Sequence, residues 1–360
     1  MTAQTSRAQT IAVAGAGLIG LACAFELASR GHDVTLFDPA PPQKSTGWAA
    51  AGMIAPAYEL MLQPGAPDQA FGAFCFDSAA LWKEFAARIE AETGVPLGYS
   101  SKATLALART AEEEDRLTSL RGHLDEMGHP ARPLSPAALE FNFGLAPGLR
   151  GGLLLAQDHQ VDNRRVISAL RRLFEGQGRV LPQAVSTRYE MEAHAGQAFE
   201  TIIWARGAAE SGVMKQVKGQ AIALSPVAGL PRNVLRFGPR YIVPKADRLI
   251  VGATSEPDYS GAGVDPAVAR TLFEEAAAVL PALRQADLVE HWAGLRPQAD
   301  GHRPLVGRCG ETEFIATAHY RNGVLLAPAT ARLIADQVEG LTLPDTYTQF
   351  APRQVPGESA

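Results

Sequence analysis

Residues 11–39 read IAVAGAGLIGLACAFELASRGHDVTLFDP. The apolar run IAVAG meets a glycine-rich turn, an Ala/Leu-rich stretch follows, and a second apolar run closes on Asp38. That is the order strand, turn, helix, strand of a nucleotide-binding unit. Within GAGLIG, Gly15, Gly17 and Gly20 stand at GxGxxG spacing. Gly15 permits the tight turn, Gly17 lets the backbone approach a pyrophosphate, and Gly20 lets the helix lie close to its strand. The helix opening at Leu18 and Ile19 presents unpaired N–H groups and a positive dipole end to the phosphates. An acid at Asp38 can accept ribose hydroxyls and would repel a ribose phosphate. The unit therefore specifies FAD or NAD over NADP, and its spacing does not separate the first two.

The rest of the chain is consistent with an enzyme built around that unit. Its 360 residues, 46% hydrophobic and 20% charged, exceed one typical core, so two domains are expected. A net charge of -5 argues against a nucleic-acid partner, which usually needs a basic face. Arg164, Arg165, Arg171 and Arg172 cluster, but Val166, Ile167, Leu170, Leu173 and Phe174 among them mark one amphipathic helix. Cys23, Cys75 and Cys309 form no CxxC pair. His32, His123, His129, His159, His291 and His302 show no ligand spacing, so no metal is expected. The opening residues lack a secretory pattern, and no apolar run reaches the ~18 residues of a membrane span. A cytoplasmic location without a membrane partner is expected.

Beyond the opening unit, a long Pro/Gly/Ala-rich loop, PAPPQKSTGWAAAGMIAPAYE, is too long for a plain connection. A helix is expected from an N-cap at Asp77 to a stop at Gly94, and another after the cap Asp162. Residues 178–207 read as short strands and turns. KGQAIALSP, NVLRFGPRYIVPK and DRLIVGATSE then alternate apolar and polar residues, as in antiparallel strands of a half-exposed sheet. Asp265 and Pro266 open a further helix, and the tail holds the strand EFIATAH and the helix-like PATARLIADQVEG. The fold class is thus α/β, a Rossmann-like dinucleotide-binding domain with an inserted α+β substrate domain on an antiparallel sheet. Residues 1–85, 150–212 and 290–360 are assigned to the first, and 86–149 and 213–289 to the second.

Three motifs in order, STGWAAAGMIAPAYE, HWAGLRPQADGHRPLVG and AHYRNGVLLAPAT, resemble the D-amino-acid oxidase family of flavoenzymes, most closely its glycine oxidase branch in thiazole biosynthesis. The resemblance implies non-covalent FAD. Thr46, Gly47, Ala51, Gly52 and Met53 match the family loop that lines the flavin, and Val185 matches the position whose backbone meets the adenine. His319, Tyr320, Arg321, Asn322, Gly323, Val324 and Leu325 match the turn at the pyrimidine edge of the flavin. A helix beginning near Ala329 would aim its positive end at the C2 carbonyl.

For the substrate, the resemblance places Arg296 on the carboxylate, with Arg321 and Tyr241 as further contacts. Ser255 stands where the family's glycine oxidases carry a pocket methionine, which opens space and loosens the preference for glycine. The implied reaction is oxidative deamination: the free amine drives a hydride from the α-carbon to flavin N5. Oxygen then gives hydrogen peroxide, and the imino acid hydrolyses to the oxo acid and ammonia. No protein base is required. Sarcosine, proline and D-amino acids are alternative substrates, an NAD-dependent dehydrogenase is a more distant reading, and a homo-oligomer is a possible assembly.

Overall fold

The computed structural model describes residues 7–62, 68–209, 214–299, 301 and 303–352; His302 lies outside them. The chain opens with β1 (Thr10–Ala14), α1 (Leu18–Ser29), β2 (Asp33–Phe37), α2 (Thr46–Ala49), β3 (Met53–Ile54), α3 (Pro56–Leu62) and α4 (Gln69–Thr93). It continues through β4 (Thr104–Ala108), α5 (Ala111–Glu126), β5 (Arg132–Leu134), α6 (Pro136–Phe143), β6 (Gly151–Leu155), β7 (His159–Gln160), α7 (Asn163–Gly176), β8 (Val180–Leu181), α8 (Arg188–Ala195) and β9 (Thr201–Trp204). The last part holds β10 (Lys215–Leu224), β11 (Leu235–Phe237), β12 (Arg240–Pro244), β13 (Leu249–Gly252), α9 (Pro266–Val279), β14 (Leu288–Gln298), β15 (Leu305–Arg308), β16 (Glu313–Thr317), α10 (Gly323–Val338) and α11 (Asp345–Thr348).

Two sheets organise these elements. The first runs β15-β16-β9-β1-β2-β8 and is parallel except for the antiparallel edge strand β15. Its central strand alternates: Ile11 and Val13 face a core shared with α1, α4, α7 and α10, while Ala12 and Ala14 face a smaller cluster with Met191 and Phe199. A strand buried on both faces is what a parallel sheet under helices requires. The second sheet runs β14-β10-β13-β12-β11-β4-β6-β5. Strands β6 and β14, which start close to the 150 and 290 boundaries drawn from sequence, pair within this second sheet.

The second sheet is not half-exposed. On one face Ile222, Leu235, Phe237, Ile242 and Val251 pack with Ala269, Leu272 and Ala276 of α9; on the other, Tyr241, Val243 and Ile250 pack with Ala51. The alternating pattern was real, but its second face looks onto the first domain rather than onto water.

Three boundaries also move. Helix α4 begins at Gln69, where Asp68 accepts the Phe71 N–H, and Asp77 lies within it; the Gly94 stop holds, at φ 67°. Residues 178–207 contain α8, opened by a Thr187–Glu190 capping box, and Val185 sits in the loop before it. Helix α10 begins at Gly323 rather than near Ala329 and carries Pro328 inside it. That proline cannot donate to the Val324 carbonyl one turn back. Trp82 Nε1 donates to that carbonyl at 3.0 Å, supplying the bond that the proline withholds, and Ser78 Oγ bridges the next pair, donating to Leu325 O at 2.7 Å and accepting the Ala329 N–H at 3.2 Å.

Candidate active site

A cleft of about 820 Å³ runs along the seam between the two sheets. At one end it is lined by Gly15, Gly17, Leu18, Ile19 and Asp38, and at the other by Tyr241, Ser255, Arg296 and Arg321.

The dinucleotide end follows from backbone geometry. Gly15 holds φ 101°, a conformation that suits glycine, and a Cβ there would collide with the Ala205 carbonyl. A Cβ on Gly20 would collide with the Gly15 carbonyl, so the helix lies on its own turn. At Gly17 the nearest atom to such a Cβ is Ser45 Cβ at 3.7 Å, leaving that backbone open to the cleft. Helix α1 starts at Leu18 with no side-chain cap, so its first N–H groups are left for an anion. Asp38 Oδ2 accepts the Ala16 N–H at 2.7 Å and Oδ1 the Ala40 N–H at 2.9 Å. The carboxylate thus ties the glycine turn first, and its remaining lone pairs serve a ribose. Val185 lines the cleft beside Arg206, which donates to the Val185 carbonyl at 3.4 Å.

The loop from Thr46 to Met53 forms the middle wall, held by β14 of the second sheet and by α7. Thr46 Oγ1 donates to Leu295 O at 2.8 Å, and Trp292 Nε1 donates to Ala49 O at 2.9 Å. Asn163 Nδ2 reaches Gly47 O at 2.7 Å and Ala50 O at 2.9 Å. Gly47 leaves no room for a side chain against Leu18. Gly52, at φ 78°, has the Val161 carbonyl, Lys245 Nζ and Asn163 Oδ1 packed where a Cβ would go. Lys245 Nζ donates to Val161 O at 2.8 Å and Gln160 Oε1 at 3.0 Å, and burial lowers its pKa to about 7. The result is a wall of short side chains, backed by hydrogen bonds within the protein, and a flat ring can lie against it.

The turn over residues 318–325 is equally built. Ala318 and Tyr320 take positive φ on either side of His319. His319 is buried, its Nε2 2.9 Å from Thr330 Oγ1, and burial lowers its pKa to about 3, so the ring is neutral. Asn322, Gly323, Val324 and Leu325 line the cleft at the start of α10. The helix end that faces the cleft is therefore six residues nearer the turn than the sequence pattern suggested.

At the substrate end the larger sheet presents one face to the cleft. Cross-strand pairing puts Arg236 opposite Tyr241, Tyr241 opposite Gly252, Gly252 opposite Ala221 and Ala221 opposite Trp292. Arg296 lies on that same face, four residues along β14 from Trp292. Gly252 gives the Tyr241 hydroxyl a bed, and Gly219 gives one to the Arg296 guanidinium; a Cβ at either position would collide with the side chain above it. Arg296 Nη1 donates to Thr254 O at 3.1 Å and pairs with no carboxylate among the described residues. Ser255 is exposed at the rim. Arg321 is also exposed and pairs with Glu59 at 3.4 Å, so its charge is already answered by a protein group. Arg240 pairs with Glu275 and donates to Ala253 O at 2.7 Å.

Sequence reasoning missed Asn163, Lys245, Glu59 and Arg236. For Arg236 a signal existed: the Gly238–Pro239 turn is two residues long and fixes the register that faces it to Tyr241. For Asn163 the only hint was its place just after the capping Asp162. Cys23, Cys75 and Cys309 are all buried, and none lines the cleft. No helix among the described residues is long and apolar enough to cross a membrane.

Comparison with known proteins agrees with this geometry. A sequence profile for the family described as FAD dependent oxidoreductase (DAO) matches residues 10–337. The chain is 32% identical to the glycine oxidase of Geobacillus kaustophilus, over 91% of this chain and 92% of that one. It is 33% identical to the bifunctional protein ThiO/ThiG of Nostoc sp., over 91% of this chain and 52% of that longer protein. The crystal structure of the Geobacillus kaustophilus glycine oxidase superposes with a TM-score of 0.85 at 29% identity, covering 96% of this chain and 100% of that one. That of L-proline dehydrogenase from P. horikoshii, at 18% identity and a TM-score of 0.78, shares the fold. With FAD the cofactor of that family, NAD is set aside: the chain belongs to the FAD-dependent oxidoreductase family of D-amino-acid oxidase type and is an enzyme similar to glycine oxidases.

Proposed function

We propose that this enzyme oxidatively deaminates a small amino acid or amine, with glycine the first candidate. The observation that carries the reading is Arg296: a guanidinium bedded over Gly219, beside Tyr241, facing the cleft without a carboxylate partner. A substrate carboxylate matches its planar fork, and charge-assisted bonds of this kind contribute about 1.5–3 kcal/mol each. Tyr241, buried, adds a hydroxyl donor in reach of the same group.

FAD, held non-covalently along the cleft from Gly15, Gly17 and Asp38 to the turn at Asn322, would supply the two-electron acceptor, with oxygen as the final oxidant. The protein's part is placement. Arg296 and Tyr241 fix the carboxylate, which fixes the α-carbon, and the wall from Ala51 to Met53 sets how closely the ring approaches it. Neutral His319 puts no extra charge at the turn, while the N-terminus of α10 turns partial positive charge toward the cleft and would favour a bound group that gains negative charge on reduction. The substrate amine reacts as its free base, so no side chain is assigned a proton. The second reading, another small amine such as sarcosine or a D-amino acid, is favoured by Ser255, which leaves the rim open.

The test is the visible absorption spectrum of the purified protein without oxygen, before and after glycine. A yellow protein that bleaches supports glycine oxidation. A yellow protein that bleaches only with bulkier amines moves the assignment to them, and one that no amine bleaches removes the proposal.

A further inference from the structure

Four arginines line the substrate end of the cleft: Arg236, Arg240, Arg296 and Arg321. Two are answered by protein carboxylates, Arg240 by Glu275 and Arg321 by Glu59. The other two form no ion pair among the described residues. A monocarboxylate amino acid neutralises one of them, Arg296, and leaves Arg236.

Arg236 is the more demanding of the pair because it is buried, at 6% exposure. Its guanidinium lies over the Tyr58 ring at 4.0 Å and stands 5.7 Å from the Tyr241 ring. Its Nη1 reaches the thioether of Met53, at 3.2 Å, the neutral Tyr58 hydroxyl lies near it, and its Nε is buried with no partner. A weak sulfur acceptor and two ring faces do not replace an anion for a desolvated cation. Asp158 is a buried acid whose charge bears on Arg236, but no ion pair joins the two: its oxygens turn to the N–H groups of Ala57 at 2.8 Å and Tyr58 at 3.3 Å, and burial raises its pKa to about 7. Glu59, on the same helix as Tyr58, is committed to Arg321.

Arg236 and Arg296 flank one residue. Arg236 faces Tyr241 directly across the β11–β12 pair, and the Tyr241 side chain lies over Gly252 toward the strand that beds Arg296. A ligand whose first carboxylate sits between Arg296 and the Tyr241 hydroxyl therefore has a second cation on the other flank of the same ring.

We infer that the preferred substrate is an amino or imino acid carrying two acidic groups, the reacting carboxylate on Arg296 and a second carboxylate on Arg236. This rests on the function proposed above and narrows its substrate class. The exposed Ser255 at the rim fits the larger ligand, since a bulky side chain there would narrow the entry.

The test separates binding from reaction. The holoenzyme is titrated with the unreactive acids acetate and succinate, read by perturbation of the visible flavin spectrum. Flavin reduction is then followed without oxygen for paired amines: sarcosine against iminodiacetate, and D-alanine against D-aspartate. Succinate is expected to bind about tenfold or more tighter than acetate, as one further charge-assisted contact implies. The diacid of at least one amine pair should show a similar gain in the concentration for half-maximal reduction rate. In Arg236→Gln the succinate-to-acetate ratio should fall close to one, and in Arg236→Lys, which keeps the charge and guards against misfolding, part of it should return.

Equal binding of acetate and succinate by the wild-type protein overturns the inference even if monocarboxylate amines bleach the flavin. A succinate preference that survives in Arg236→Gln also overturns it. Conversely, an Arg236-dependent succinate preference in a protein that no amine bleaches upholds the paired-cation site while removing the proposed reaction.

Discussion

Arg296 and Lys245 show two ways of burying a cation. Arg296 keeps its charge because a guanidinium does not lose its proton in the accessible pH range, and if it meets the substrate carboxylate as proposed, Arg296→Met should weaken glycine binding by about ten- to hundredfold while FAD content is retained. Anaerobic flavin titration measures this. Lys245 is half-buried, with its ammonium enclosed against Val161 O and Gln160 near Asp162, and desolvation lowers its pKa from 10.5 to about 7. Below about 7 both the folded and the unfolded chain hold the proton, and the fold bears the cost of the buried charge. Between there and 10.5 the unfolded chain binds a proton that the folded one has released. Stability from this group therefore rises with pH across that window. Urea denaturation at pH 7 and pH 9 should show the rise in the wild type and a flatter response in Lys245→Met.

At the scale of elements, α10 and α4 are one unit because of Pro328. Without Trp82 the Val324 carbonyl is buried and unpaired, so Trp82→Phe should cost about 1–3 kcal/mol beyond lost packing. Replacing Pro328 by Ala restores a backbone donor, and the double variant Trp82→Phe/Pro328→Ala should recover part of that loss in urea denaturation. The same proline explains why the start of α10 was not legible from sequence: a breaker within GVLLAPATARL points to a helix beginning after it, and only the tertiary bonds from α4 reverse that. The start of α4 was hidden for another reason. Phe71, Phe74, Cys75 and Phe76 are all buried, so its first turns lack the polar face that marks a helical period. Helix α8 was legible, since Thr187 and Glu190 form the capping-box pattern, but its few residues hid in a stretch of strands. The nucleotide-binding unit was read correctly because local chemistry, three glycines and a closing acid, determines it. Arg236 and Asn163 were not, because their roles depend on register and on a loop more than a hundred residues away.

At the scale of the whole molecule, the two sheets meet over the cleft and the flavin loop joins them. All three cysteines are buried away from the cleft, so heat or acid should release the flavin into the supernatant; yellow colour remaining in the pellet would show a covalent bond. The joining loop also bears on assembly in time. Trp292 and Leu295 hold it from one sheet, and Asn163 from a helix on the other. These contacts tie one wall of the cofactor's place to both layers of the molecule, so entry into the folded chain requires them to yield. Reconstitution should then be kinetically divided: folded apoprotein takes up FAD slowly, at a rate independent of FAD concentration once it is in excess, whereas chain refolded from urea with FAD present incorporates it as fast as it folds. Stopped-flow quenching of flavin fluorescence distinguishes the two routes, and rapid, concentration-proportional uptake by the folded apoprotein would show that the loop opens freely.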